Sequence, residues 1–244
     1  GFFENQMDIN NSPTQTFSQV RPGDVKYKDI SGPDGVPDGV IDDYDKTNIG
    51  SPMPKFTFGW TNTFRYKNFD LSVFINGSYG NKVYNYLSMK LTHMNSPWTN
   101  QLNAVNGRAQ LVPINPNKVY EDGTMWYNDV SNVMVANPGA SIPRATINDP
   151  NDNDRISDRY IEDGSYIRLK NISLGYTFPK KTIDKLGLSN LRIYANIQNL
   201  LTITGYDGYD PEIGASTSSV NVYGLDNGRY PSPTVYSFGL NVSF

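Results

Sequence analysis

The chain ends on a run in which every second residue is large and apolar. These residues are Tyr236, Phe238, Leu240, Val242 and Phe244, and the residues between them are small or polar. A period of two is typical of a β-strand with one apolar and one polar face. Since no polar tail follows the final aromatic ring, we expect lipid to cover the apolar face, as on the outside of an outer-membrane β-barrel.

The same alternation occurs in four earlier segments, and all five are predicted strands. Their ranges are 54–66, 67–80, 165–178, 190–204 and 233–244. Each is longer than the roughly 5–6 residues usual in soluble sheets and long enough to cross a bilayer at a tilt. Two places break the alternation: Phe74 falls on a polar face, and Ile167 and Leu169 lie opposite Ile172 and Leu174.

Long and short connections alternate between these strands. Residues 67–68 and 179–189 make short connections, whereas 29–53, 81–164 and 205–232 are long. Short periplasmic turns and long external loops are typical of outer-membrane barrels. The sequence therefore predicts an all-β fold, an antiparallel segment of a transmembrane β-barrel with long extracellular loops. No secondary structure is predicted within the longest loop.

Composition narrows the possible functions. Among 244 residues no apolar run reaches the ~18 that a membrane-spanning helix needs. The net charge of −3 makes nucleic acid an unlikely partner, and the absence of cysteine excludes disulfides and thiol catalysis. The chain begins at Gly1 without an initiator methionine or a signal segment. Because the smallest barrels need about eight strands, we expect five strands to be an incomplete wall.

An acidic loop at 34–45 fits the template of a calcium-binding loop in part. The expected oxygen ligands come from Asp34, Asp38, Val40 (through its carbonyl), Asp42 and Asp45. Such hard ligands suit Ca²⁺. The third template position holds a valine and the last ligand is an aspartate instead of the longer glutamate, although Asp29 could supply a missing ligand. The alternative is a solvated acidic turn without an ion.

Aromatic residues in the long loops are candidates for binding cargo. The expected contacts are Trp98, Trp126, Tyr206 and Tyr209, with Tyr127 and Tyr223 nearby in sequence. Their rings could stack on sugars, contact a partner protein, or form small cores that hold the loops together. Polar-face residues Arg65, Arg168, Lys170, Arg192 and Gln198 could contact cargo or pair with acidic groups.

Nothing in the sequence favours an enzyme. His93 is the only histidine, and without cysteine or a second histidine it has no convincing catalytic partner. We expect it on the surface of a polar loop. The glycines at 35, 39, 205 and 208 are turn residues that precede no helix, so no phosphate site is predicted.

Two long segments carry a family resemblance. Residues 21–85 contain RPGDVKYKDISGPDGVPDGVIDDYD followed by a strand pair, and residues 158–214 contain RLKNISLGYTFP and RIYANIQNL. In this order they resemble the C-terminal part of the SusC/RagA family of TonB-linked outer-membrane transporters; 86–157 matches no motif of that family. The resemblance implies a barrel of roughly 22 strands closed by a plug, a TonB-contacting segment and a SusD-like surface lipoprotein. This chain contains neither the plug nor the TonB-contacting segment.

The function implied by the resemblance is nutrient import. We expect 1–244 to be the last part of the barrel of an importer in the outer membrane of a Gram-negative, Bacteroidetes-like bacterium, taking up oligosaccharides or peptides. The alternative from another class is a secreted, calcium-stabilised carbohydrate-binding β-sandwich. A third is a porin-like wall without energised transport.

Overall fold

A computed structural model describes residues 1–213 and 222–244, so part of the predicted loop 205–232 lies outside the described residues. The strands are, in chain order, β1 (Thr14–Gln15), β2 (Val40–Ile41), β3 (Phe56–Tyr66), β4 (Phe69–Tyr79), β5 (Lys82–Asn85), β6 (Leu111–Pro113), β7 (Val133–Val135), β8 (Ile161–Asp163), β9 (Tyr166–Thr177), β10 (Asn190–Thr204), β11 (Leu225–Asp226) and β12 (Val235–Ser243). The α-helices are α1 (Gln6–Asn10), α2 (Tyr86–Thr92) and α3 (Lys180–Ile183). Turns of 3₁₀-helix lie at Asp43–Asp45, Asn103–Gly107, Trp126–Asn128, Val130–Asn132, Asp158–Tyr160 and Asp184–Leu186.

The chain forms two compact units. The first contains Gly1–Ile49 and Ser88–Arg159, and the second contains Gly50–Leu87 and Tyr160–Phe244. The fold is thus mostly β, with few and short helices. No helix in the described ranges has the length and apolar character needed to cross a membrane.

The second unit is built on a five-stranded antiparallel sheet in the order β12-β10-β9-β4-β3. Its members are the five segments in which the sequence alternates, and the prediction is confirmed in its coarser form, a mostly β fold built on antiparallel strands. β3 and β4 form a hairpin closed by Lys67 and Asn68, with Lys67 at φ 52°. A smaller three-stranded sheet in the same unit has the order β11-β5-β8.

A β-bulge explains why the alternation of apolar and polar residues is interrupted within β9. Between the rungs at Asn171 and Leu169 the register with β4 shifts, because Lys170 is an extra residue on β9. The register with β10 shifts at the same level, where Asn199 has a left-handed φ of 51°. An extra residue moves the following side chains to the other face. Ile167 and Leu169 therefore share a face with Ile172.

The five-stranded sheet has one apolar face that is open to solvent in this chain. Trp60 is 58% exposed and Phe238 is 84% exposed, and other large apolar residues of the same strands are exposed as well. The opposite face is polar and carries Asp70, Arg168 and Arg192 among its side chains. Phe74 lies on the polar face, where Gly59 leaves room for its ring: a Cβ there would lie 3.2 Å from Phe74 Cε2.

The first unit is made of short elements around a small mixed core. Phe3, Ile41 and Val133 are among its buried apolar members, and fully buried Asp24 and other polar groups lie among them. β1 pairs with β2 in parallel, and β6 pairs with β7 antiparallel. Most of the predicted loop 81–164 belongs to this unit. The expectation of a stretch without secondary structure is therefore wrong, because its polar segments satisfy their hydrogen bonds with one another.

Candidate functional site

Arg168 organises an ionic cluster on the polar face of the sheet. It is 3% exposed, and its guanidinium donates to Thr202 Oγ1 at 2.8 Å, to Glu212 Oε2 at 2.7 Å and to the carboxylate of Asp210. Lys170 Nζ lies 2.7 Å from the same Glu212 oxygen. A planar guanidinium suits this task because it offers several donors in a fixed geometry.

Asp210 ties the loop after β10 to this cluster. Its carboxylate accepts the backbone N–H groups of Glu212 at 2.9 Å and Ser232 at 3.0 Å as well as the Arg168 guanidinium. Burial raises the pKa of Asp210, but the hydrogen bonds from Ser232, Arg168 and Glu212 outweigh it, so the net pKa is lowered. The charged carboxylate therefore holds two separate loop segments at the sheet.

A second ion pair crosses three strands of the same face. Arg192 on β10 donates to Asp70 on β4, with Nη2 2.6 Å from Oδ2. The strand between them is β9, and the pair passes over Gly175. A Cβ at Gly175 would lie 2.2 Å from Arg192 Nη2 and 2.6 Å from Asp70 Oδ1. Glycine is therefore a geometric requirement of this contact.

Of the five polar-face residues proposed to meet cargo or acidic groups, three thus have acidic partners: Arg168, Lys170 and Arg192. These partners are Asp210, Glu212 and Asp70. Of the two alternatives that the sequence left open, contact with cargo or pairing with acidic groups, the second describes these three residues. Their charges are neutralised locally, so none of the three is a free cation on the polar face of the sheet.

The acidic loop is ordered by its own carboxylates. Asp45 accepts the N–H groups of Ile30 and Ser31 through Oδ1 and that of Asp42 through Oδ2. Burial raises the pKa of Asp45, and these backbone hydrogen bonds outweigh it, so the net pKa is lowered. The loop is a folded structure with defined hydrogen bonds.

The remaining predicted calcium ligands have different surroundings. Asp38 Oδ1 accepts the N–H of Val40 at 3.0 Å, Asp42 Oδ1 accepts the N–H of Tyr44, and Asp34 is exposed. Asp29 does reach the loop, because its Oδ2 accepts the N–H of Gly39 at 2.7 Å. Its other oxygen, Oδ1, is buried and has no hydrogen-bond partner in the described structure. A buried carboxylate oxygen without a donor fits a cation ligand.

His93 is buried, and the expectation of a surface histidine is wrong. Its Nε2 lies 2.8 Å from Asp149 Oδ2 and its Nδ1 lies 3.3 Å from Asp154 Oδ2. Among the described residues these three form the single group of potential metal-ligand side chains with atoms within 4.8 Å of one another. The imidazole lies between the two carboxylates, with one ring nitrogen facing each of them.

The segment around Asp149 forms the polar core of the first unit. Asn153 donates its backbone N–H and its side-chain amide to Asp149, and Asn151 donates to Asn153 Oδ1 at 2.9 Å. Asp24 is paired with Arg144, whose Nε lies 2.7 Å from Oδ1. The network replaces part of the apolar core that a loop-rich unit lacks. No sequence periodicity signals it; the density of Asn and Asp at 148–154 is its one visible sign.

The four aromatic residues proposed to bind cargo differ sharply in accessibility. Trp98 is 93% exposed and Tyr209 is 64% exposed, whereas Trp126 is half-buried with its ring 5.8 Å from that of Tyr127. Tyr206 is 5% exposed, and its hydroxyl donates to Asp226 Oδ2 at 2.6 Å. Its buried ring is closed to cargo, so its role is to position the loop that carries Tyr209.

Comparison with known proteins identifies the kind of chain. TonB-dependent receptor P3 of Formosa agariphila is 35% identical over 228 residues, which cover 91% of this chain and 19% of the relative. TonB-dependent receptor P26 of the same organism is 32% identical over 252 residues. TonB-dependent receptor SusC of Bacteroides thetaiotaomicron is 29% identical over 209 residues. No family model matches the chain.

Solved structures agree on the fold. The RagAB peptide transporter superposes with a TM-score of 0.54 at 20% identity, covering 80% of this chain and 18% of that chain. The RagAB peptide importer in its open-open state gives a TM-score of 0.56 at 21% identity over 87% of this chain. Over most of its length the chain is similar to one part of the TonB-dependent receptors of the SusC/RagA family. It spans about a fifth of the length of the curated relatives it matches.

This similarity confirms the resemblance carried by the motifs at 21–85 and 158–214. The relatives are named as receptors, and the solved neighbours as a transporter and an importer, which agrees with the prediction that the chain is not an enzyme. Within the family segment, RLKNISLGYTFP is β9 with the residues that follow it, and RIYANIQNL lies in β10. Arg168 and Gly175 therefore belong to the segment that carries the resemblance.

Proposed function

We propose that the chain supplies part of the wall of an outer-membrane nutrient importer. In this proposal the five-stranded sheet continues into a closed transmembrane barrel, its apolar face meets lipid and its polar face lines the interior. The observation that carries the proposal is the exposed apolar face, with Trp60 and Phe238 open to solvent, on a sheet whose opposite face holds ion pairs. Kinship with TonB-dependent receptors supports it.

The exposed apolar face also argues against the secreted sugar-binding alternative. In a β-sandwich the apolar face of one sheet packs on a second sheet. Here aromatic and aliphatic side chains of β3, β10 and β12 remain exposed. A chain with this surface needs lipid or another cover, which makes the barrel wall the better account.

The partners and cargo follow from the same proposal. TonB would act through a part of the receptor outside these residues, and a SusD-like lipoprotein would cover the external side. The cargo is an oligosaccharide or a peptide, met by the exposed rings of Trp98 and Tyr209 and by the half-buried ring of Trp126. The energy for import would come from TonB, because the relatives are TonB-dependent receptors.

We also propose that the acidic loop binds one Ca²⁺ ion. Asp29 Oδ1, which has no donor, would be one ligand. Asp34, Asp38 and Asp42 would have to close around the ion, because in the described structure no three carboxylates of this loop lie within 4.8 Å of one another. The ion would order an external loop and take no part in chemistry. Terbium luminescence, sensitised by nearby Tyr44, checks the site: the signal should fall on addition of Ca²⁺ and be absent in Asp29→Asn, while Asp152→Asn behaves as wild type.

Detergent extraction tests the importer proposal. The receptor containing these residues should leave the outer membrane only in detergent, run faster on an unheated gel than after boiling, and bring a lipoprotein with it. Cells lacking the receptor should lose uptake of a single class of oligosaccharide or peptide. A receptor released by salt or water alone would contradict the proposal.

A further inference from the structure

A groove crosses the apolar face of the sheet near its short-turn end. It has a volume of about 550 Å³, and its walls are almost entirely apolar. Ala195 on β10 forms the floor between two taller rows of side chains. Its rung partners are Leu174 on β9 and Phe238 on β12. The small side chain between large ones leaves a slot instead of a flat surface.

The next rung extends the groove toward the turns. There Ile193 on β10 lies between Tyr176 on β9 and Leu240 on β12. Phe69 on β4 closes the side, with its ring centroid 4.7 Å from that of Tyr176. All the strands involved are paired with one another, so the groove is complete within the sheet.

The groove ends next to a basic patch. One rung, about 3.3 Å along the strands, separates Tyr176 from the end of β9 at Thr177. The connection that follows carries Lys180, Lys181 and Lys185 against a single acid, Asp184. In residues 1–213 and 222–244 these three lysines are exposed and make no ion pair.

The same end of the sheet carries a fourth lysine. Lys67 closes the β3–β4 hairpin, and its neighbour Phe69 pairs with Tyr176 across the sheet. The opposite end of the sheet also carries lysines, Lys55 and Lys82, but acidic residues such as Glu162, Asp163 and Asp207 lie in its connections, and Lys82 Nζ lies 3.8 Å from Asp163. Positive charge without an acidic partner is thus concentrated where the groove opens toward the turns.

We infer that this groove and its lysines form a binding site for one phospholipid with an anionic head group. An acyl chain lies over Ala195, and the phosphate-bearing head group is held by Lys180 and Lys181. Ammonium groups attract anionic lipid head groups at a membrane surface, and an apolar slot takes hydrocarbon without unsatisfied polar groups. The inference rests on the proposed membrane location, and it adds a specific lipid to a face that otherwise meets bulk lipid.

Native mass spectrometry of the whole receptor in detergent tests the site. The probes are phosphatidylglycerol and phosphatidylethanolamine with identical acyl chains. The first phosphatidylglycerol should bind more tightly than the first phosphatidylethanolamine. Lys180→Gln with Lys181→Gln should weaken the binding of phosphatidylglycerol about 30-fold and leave the binding of phosphatidylethanolamine nearly unchanged. Ala195→Trp fills the slot and should weaken both lipids about tenfold.

Two control variants distinguish loss of the lipid site from the general effects of adding a large ring or removing two charges. Ile203→Trp adds the same ring to the outward face of β10 at its other end and should leave lipid binding unchanged. Lys55→Gln with Lys82→Gln removes two charges at the opposite end of the sheet and should also have no effect. Equal binding of the two lipids, or equal losses in the control and groove variants, would overturn the inference. The unheated gel shift, measured on each variant, tests barrel folding separately, so failure of the proposed function is recognised independently.

Discussion

Gly175 lies beneath the ion pair of Asp70 and Arg192, where any side chain would occupy the space of the guanidinium. We expect Gly175→Ala to break this contact and to lower the free energy of unfolding by about 1 kcal/mol, because the pair is partly exposed. Urea unfolding of the receptor in detergent measures it. In an Arg192→Ala background the same glycine substitution should leave the free energy of unfolding almost unchanged. An equal cost in both backgrounds would mean that Gly175 matters for another reason.

The buried carboxylate of Asp149 gives a prediction for acid. Burial raises its pKa, but hydrogen bonds from His93 and Asn153 outweigh this, so the net pKa is lowered. Its stabilisation is therefore fully present above the unfolded value of about 3.9 and is lost as the pH falls through the lower folded pKa. At pH 6 we expect Asp149→Asn to cost about 1–3 kcal/mol, and this difference from wild type to shrink below pH 4.

Urea unfolding between pH 3 and pH 6 measures that difference. Asp152→Asn is the control, because Asp152 lies in the same turn but is exposed. Its carboxylate makes a surface ion pair with Arg155 Nη2 at 3.4 Å. It should change the stability little at any of these pH values. A loss for Asp149→Asn that stays constant down to pH 3 would show that the carboxylate charge is not what stabilises the turn.

Single residues were the hardest to place from sequence. Arg168 and Arg192 could be assigned to the polar face by alternation, but their partners are distant along the chain and no spacing indicates them. His93 and Tyr206 were expected to be exposed because both lie in polar loops. Their burial depends on Asp149 and Asp226, which approach only through the fold.

At the scale of elements, the bulge at Asn199 adjusts β10 to β9. Its φ of 51° is a left-handed conformation that asparagine tolerates better than branched residues. We expect Asn199→Val to lower the free energy of unfolding by about 1–2 kcal/mol relative to Asn199→Gly. Both variants lose the hydrogen bond from Asn199 Nδ2 to Pro233 O, so their difference isolates the backbone conformation. Equal stabilities in urea unfolding would contradict a conformational role.

The long strands could be predicted, and their irregularities could not. The ranges predicted as 54–66 and 190–204 correspond to β3 at Phe56–Tyr66 and β10 at Asn190–Thr204, because alternation over ten or more residues is a strong signal. The bulge was visible only as a broken period in β9. The short elements between Asn103 and Tyr160 carry three to five residues each, too few for any period to emerge.

For the whole molecule, an added charge should lower the stability far more on the apolar face of the sheet than on the polar face. Ile172 on the apolar face and Ser173 on the polar face are neighbours at mid-strand in β9. In lipid, Ile172→Arg should cost about 2–4 kcal/mol if it lies near the bilayer midplane. Ser173→Arg should cost far less. Unfolding of the receptor from vesicles measures both, and equal costs would contradict a lipid-facing position for Ile172.

The open edges of the five-stranded sheet carry a consequence for biogenesis. In the described ranges β3 and β12 each pair on one side only, so each presents a row of free amide and carbonyl groups next to exposed aromatic rings. Such an edge recruits other chains and starts aggregation. On the proposed membrane location, this segment would therefore need shielding by a chaperone between export and insertion. Substitutions that delay insertion should lower receptor abundance through proteolysis even where the inserted protein is as stable as before.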